Sequence, residues 1–227
     1  MINVNALLKL DKPLVLASAS PRRRQLLEHI GLHHTTVTPN IDEDVVAVTL
    51  PPEQYVMQLA LLKAIAGATI AGAATSGAAT SVSATISEAT LVADSIVLGS
   101  DTTVVLDGVV MNKPINAADA VRMLTALSGN THTVYTGIAL YHAASKKSVT
   151  AFSATRVTFR PLTQEEIAAY VATESPLDKA GAYGIQDDFG AVFVSHVEGC
   201  YYTIVGLPLQ LLYTTLQQFA ALLKGAE

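Results

Sequence analysis

Arg22, Arg23 and Arg24 follow directly on Ser18-Ala19-Ser20-Pro21. Ser20 suits a helix N-cap and Pro21 the first helical position, so the three guanidinium groups fall in a first helical turn. The positive end of the helix dipole disfavours each cation there by about 0.3–1 kcal/mol, and a bound anion reverses that sign. Phosphate is such an anion, because unpaired backbone N–H groups and guanidinium forks hold it together. Arg24 has an alternative partner in Glu28, one turn later. Arg23 shares a face with Leu27 and Ile30 and is expected to point inward, where an unpaired charge is costly. Arg22 and Arg23 are therefore read as ligand-binding, and Arg24 as solvated surface.

Other charged residues stand in apolar surroundings. Val56, Leu59, Ala60 and Lys63 follow helical spacing, which puts an ammonium on a core-facing stripe. Two readings stand: Lys63 snorkels to water, or it meets a ligand. Asp101 lies between Leu98 and Val104 in a β-branched run, where an ionised carboxylate needs a cation or metal. It is either a strand-end carboxylate paired with an arginine, or a metal ligand or general base at the mouth of a sheet. Glu43, in Asp42-Glu43-Asp44, can supply a second hard oxygen of the kind Mg²⁺ and Mn²⁺ take, or it is solvated surface. Lys113 follows a hairpin and is an exposed turn residue or a phosphate contact. The stretch from Asp178 to Gln186 sets two glycines among small residues, which suits close approach of backbone to a ligand or a tight structural loop. The six histidines have no ligand spacing, and Cys200 reads as a packing residue.

These residues need elements to place them. Leu14–Ala17 reads as a short buried strand, and the helix from Pro21 is expected to stop at Gly31. Pro51-Pro52 opens a second helix through Lys63. Ser95–Leu106 reads as a long strand, with Asp107-Gly108 as a hairpin into Val109–Met111. A helix over Ala117–Leu127, strands over Thr133–Tyr141 and Val149–Phe159, and a helix from Thr163 to about Thr173 follow. Tyr201–Val205 reads as a strand, and Pro208 opens a last amphipathic helix. Residues 66–90 are almost all Ala, Gly, Thr and Ser and are expected to form an inserted surface segment. The chain is read as one domain, residues 1–227, with helices packed on a twisted mixed β-sheet: an α/β fold.

Composition sets bounds. Half of the residues are apolar and 15% charged, enough for a large core. The single cysteine rules out an internal disulfide and a thiolate-built zinc site. A net charge of −5 argues against a nucleic-acid partner, which requires a broad basic face. Neither a spanning segment nor a secretory leader is expected, and a cytoplasmic protein with no membrane partner follows.

The motifs together resemble the Maf (septum formation inhibitor-like) nucleotide pyrophosphatases. The resembling stretches are LASASPRRRQLL at 16–27, IDE at 41–43, the Lys63 helix, SDTTVVLDG at 100–108, NKP at 112–114, LSGNTHTVYTG at 127–137, PLDKAGAYGIQ at 176–186 and VGLPL at 205–209. The resemblance implies an α/β fold with a central nucleotide cleft, similar to the inosine triphosphate pyrophosphatases. It implies hydrolysis of nucleoside triphosphates at the α-phosphorus with a divalent metal, Mg²⁺ or Mn²⁺. Ser18, Arg23, Lys63 and Lys113 would hold the phosphates, Glu43 and Asp101 the metal and attacking water, and Asp101 would accept the proton. Arg22, Thr102 and Gln186 match base-selecting positions and resemble the subgroup acting on dTTP and UTP. A homodimer is the family's expectation. Two features depart from the family: the length of residues 66–90, and Asp187-Asp188-Phe189 after Gln186, where a glycine is common. The competing reading from another class is a nucleotide-binding regulator of cell division without turnover.

Overall fold

The computed structural model describes residues 2–73, 94–186 and 188–225. Among them, seven strands form one mixed sheet flanked by helices, the α/β architecture expected. Strand β1 (Leu14–Ala17) lies between β2 (Thr35–Val37) and β3 (Ile96–Leu106), parallel to both. Strands β5 (Thr131–His142), β6 (Lys147–Phe159) and β7 (Val194–Glu198) continue from β3 in antiparallel order. The short β4 (Val109–Met111) folds back on β3 through Asp107 (φ 50°) and Gly108 (φ 79°). Both turn residues are left-handed, as a primed hairpin turn requires.

Strand alternation sorts side chains onto two helical layers. Leu14, Leu16, Leu98 and Leu140 pack with Leu27 of α2 (Pro21–His29) and with Leu212 and Leu216 of α7 (Leu209–Lys224). Val15, Ala17, Val97 and Ala139 face Ala60, Ala64 and Ala68 of α3 (Pro52–Ala73) instead. Alanines on α3 and Gly99 on β3 allow a close approach: a Cβ at Gly99 would overlap the Ala60 carbonyl oxygen. Farther along β3, Val104 and Leu106 pack with α4 (Ala117–Leu127) and α5 (Gln164–Val171). A capping box between Thr163 and Glu166 starts α5, as its sequence indicated.

Four local expectations change. Residues 66–73 belong to α3, with Gly67 and Ala68 buried against the sheet, so any surface insert starts later. The remainder of that run, residues 74–90, lies outside the described residues. Tyr201–Val205 is a helix, α6, rather than a strand. Its aromatic and β-branched composition favours β structure, but tertiary partners accept the helical form: Thr136 Oγ1 donates to the Thr203 carbonyl, and Ser100 and Arg23 donate to the Gly206 carbonyl. Ser20 occupies the N-cap of α2 without a side-chain capping bond. The short helix α1 (Val4–Leu7), β2 and β7 had no counterpart in the sequence reading.

Candidate active site

Parallel pairing of β1 with β3 ends at Ala17 opposite Gly99, and β4 pairs with β3 from Val104 onward. Between them, Ser100–Thr103 face an opening in the sheet, held by β5 on their other side. The chain leaves β1 through Ser18 and turns into α2 across that opening. A cleft of about 560 Å³ forms there, lined by Ser18, Arg22, Arg23, Glu43, Lys63, Asp101, Thr102, Lys113 and Gln186 among others. Every candidate site residue from the sequence therefore borders one cavity.

Alternation along β3 decides which helix each residue meets. Asp101 is on the α3 face, one strand period beyond Gly99, and is 7% exposed. Its Oδ1 accepts from Lys63 Nζ at 2.5 Å. Lys63 Nζ is also 2.8 Å from Glu43 Oε1. Lys63 therefore does not snorkel, and its ammonium bridges two carboxylates. Asp101 pairs with a lysine rather than the arginine expected of an ordinary strand-end carboxylate. Burial pushes the Glu43 carboxyl up, but the hydrogen bond and charge of Lys63, with Lys113 and Arg23, outweigh it and hold Glu43 below its usual range.

Thr102, on the opposite face, meets α2. Arg23 donates from Nε to the Gly206 carbonyl at 2.8 Å, from one terminal nitrogen to Ser18 Oγ at 3.3 Å, and from the other to Thr102 Oγ1 at 3.1 Å. Its inward course agrees with the helical face read from the sequence. Burial lowers the Arg23 pKa, while the charge of Asp101 opposes that shift. Ser18 is almost fully buried and also accepts from the Ser20 N–H. Arg24 pairs with Glu28 at 3.8 Å on the surface, as expected. Lys113 and Gln186 are exposed at the cleft rim.

The sequence reading missed several supporting residues. Thr136 stands behind Thr102, 2.9 Å away. Asn112 Nδ2 donates to Tyr55 Oη at 3.0 Å, and its Oδ1 accepts from Thr103 at 2.9 Å, tying the turn before Lys113 to α3 and β3. Asp178 pairs with Arg22 at 3.2 Å. Apart from Thr103 and Asn112, nine positions apart, these links join residues 34 or more positions apart and leave no local signature.

Glu43 and Asp101 are the carboxylates that share the Lys63 ammonium, and no cluster of three or more His, Cys, Asp or Glu able to hold a metal occurs among the described residues. Two hard oxygen donors without thiolate or imidazole fit an ion that completes its shell with water and phosphate oxygens, as Mg²⁺ and Mn²⁺ do. They do not fit a closed zinc site.

An open α/β sheet with a gap at its centre, crossed by a helix N-terminus and lined by cations and carboxylates, defines a protein that holds a small polyanion. The family model for Maf-like proteins matches residues 13–219. The chain belongs to that family. It is 44% identical over 208 residues to a dTTP/UTP pyrophosphatase of Bacillus cereus (strain ATCC 10987 / NRS 248), covering 92% of this chain and 90% of the relative. It is 45% identical to the dTTP/UTP pyrophosphatase of Bacillus cytotoxicus, with 92% and 96% covered. A Bacillus anthracis protein of the same description is 43% identical over the same shares. No helix among the described residues is long and apolar enough to cross a membrane.

Proposed function

We propose that this protein hydrolyses nucleoside triphosphates, dTTP and UTP foremost, to the nucleoside monophosphate and pyrophosphate. Such a hydrolase, acting on an acid anhydride, would clear canonical and modified pyrimidine triphosphates from the nucleotide pool. The observation that carries the reading is the meeting of Arg23, Lys63, Glu43 and Asp101 in one cleft of about 560 Å³, a volume suited to a nucleotide. Relatives matching 92% of the chain and described as dTTP/UTP pyrophosphatases support it.

In this reading Ser18, Arg23, Lys63 and Lys113 bind the triphosphate and offset its charge. Asp101 takes a proton from water as the water oxygen attacks the α-phosphorus. The bond from that phosphorus to the oxygen bridging the β-phosphate breaks, and pyrophosphate leaves with its charge countered by the nearby cations. Lys63 engages Asp101 Oδ1, so the proton is assigned to Oδ2. A divalent ion, Mg²⁺ or Mn²⁺, held by Glu43 and Asp101 would supply further neutralisation of phosphate charge. Arg22, Thr102 and Gln186 select the base. A cytoplasmic location and a homodimer complete the proposal, and sedimentation of the purified protein tests the latter.

Incubation with UTP or dTTP and Mg²⁺ or Mn²⁺ in ¹⁸O-water tests the chemistry. Equal yields of monophosphate and pyrophosphate, with the label in the monophosphate, are expected. Release of diphosphate and inorganic phosphate would overturn attack at the α-phosphorus. Binding without cleavage would favour the regulator reading.

A further inference from the structure

Arg22 and Gln186 come from distant parts of the chain, α2 and the end of the 176–186 segment, yet they border the same cleft. They also border a second recess of about 240 Å³, shared with Gln25, His29 and Tyr201. Asp178 also lines the cleft. Its Oδ2 is 3.2 Å from an Arg22 terminal nitrogen, and its Oδ1 is 2.8 Å from Lys179 Nζ. Lys179 is 7% exposed. Its ammonium also donates to the Ser175 carbonyl at 2.6 Å and the Ser175 hydroxyl at 3.2 Å. One carboxylate oxygen is thus anchored by a buried cation, and the other is presented to the guanidinium.

We propose that Asp178 is a positioning residue for base selection: it holds Arg22 beside Gln186 and away from the triphosphate. The inference rests on the reading of Arg22 and Gln186 as the base-selecting pair. The physical reason is charge. Arg22 and Arg23 stand in the same helical turn, and a triphosphate in the cleft attracts both. Arg23 is tied to Ser18, Thr102 and Gly206, whereas the Asp178 carboxylate offsets the Arg22 charge and orients its planar fork. Burial pushes the Asp178 carboxyl up, but Lys179 and Arg22 together hold it below its usual range, so the partner of Arg22 stays ionised at neutral pH.

The test compares full-length wild type with Asp178→Asn, using UTP, dTTP and GTP as substrates and pyrophosphate as an inhibitor. For Asp178→Asn the KM for UTP is expected to rise about fivefold or more, with kcat changed by less than about threefold. The preference for UTP over GTP in kcat/KM should fall about fivefold. The inhibition constant of pyrophosphate, which reads the phosphate end alone, should not rise, and it falls where the released Arg22 turns to phosphate. Asp178→Glu should recover most of the selectivity, and in an Arg22→Ala background Asp178→Asn should change nothing further. An unchanged UTP preference in Asp178→Asn overturns the proposal. So does an equal loss for all three nucleotides and pyrophosphate, or a loss additive to that of Arg22→Ala. Calorimetric affinities for UTP and GTP are measured in parallel. A wild type that binds but does not cleave would end the pyrophosphatase reading, while the affinity ratio would still judge Asp178.

Discussion

The Lys63 ammonium and the Asp101 carboxylate meet at 2.5 Å, with Asp101 7% exposed. The contact joins the core-facing stripe of α3 to the middle of β3, and Glu43 closes it from the loop before α3. Each charge was anomalous in its own apolar segment, and the two anomalies compensate each other. A buried pair of this kind is weak evidence of stability, since desolvation offsets much of the attraction. Its place in a cleft supports a functional role instead.

Asp101→Asn should abolish turnover while nucleotide binding persists. The amide keeps the side chain's shape but loses its basicity, and a loss on the order of 10³ in kcat is expected. Steady-state kinetics with calorimetry of UTP binding checks it, and near wild-type turnover would remove Asp101 from the mechanism.

Arg23→Lys should behave unlike a conservative change. Three partners, the Gly206 carbonyl, Ser18 and Thr102, fit the planar fork of arginine, and one ammonium cannot span all of them in that geometry. We expect a fall on the order of 10²-fold in kcat/KM. A variant within twofold of wild type would show that the fork is dispensable.

Gly99→Ala should destabilise the fold without altering any charged group. Its methyl group would overlap the Ala60 carbonyl oxygen, which forces α3 from the sheet at a cost of about 3 kcal/mol. Urea denaturation measures the change. A loss below about 0.5 kcal/mol would mean that α3 shifts freely.

Acid should weaken the fold through His132, which is 2% exposed and hydrogen-bonded by Nε2 to Tyr183 Oη at 2.8 Å. Burial lowers its pKa from 6.5 to about 4. Above pH 6.5 the imidazole is neutral in folded and unfolded chains alike. Between 6.5 and 4 the unfolded chain takes up the proton more readily, so stability falls with pH by an amount on the order of 3 kcal/mol. Below 4 this group adds no further loss. His132→Gln should flatten that part of the stability profile, and an unchanged slope would assign the acid sensitivity elsewhere.

Deleting residues 76–90 should leave pyrophosphatase activity within about threefold, because α3 carries its sheet-packing residues before that point. A folded but inactive deletion would give this Ala/Gly/Thr/Ser-rich run a catalytic part.

Much of the site was legible in the residues themselves. Cations in the first turn of α2, a lysine on an apolar helical stripe and an aspartate inside an apolar strand each conflict with a local rule, and such conflicts gather at functional sites. Element types followed from periodicity and punctuation for α2, α3, β3, α4 and α5. Tyr201–Val205 escaped that logic, because its composition favours a strand, whereas distant partners support the helical form: Thr136 donates to its Thr203 carbonyl, and Arg23 and Ser100 to the Gly206 carbonyl just beyond it.

The sequence by itself determined the kinds of charge present and the turn, strand and helix that carry them. Tertiary structure alone decided their pairing. Asp101 and Thr102 are neighbours in sequence, but the alternation of β3 sends one to Lys63 on α3 and the other to Arg23 on α2. Arg22 likewise meets Asp178, 156 positions away in sequence, only once the chain is folded. Periodicity assigns a side chain to a face, whereas a partner more than a hundred residues away is set only when the sheet and its helices pack.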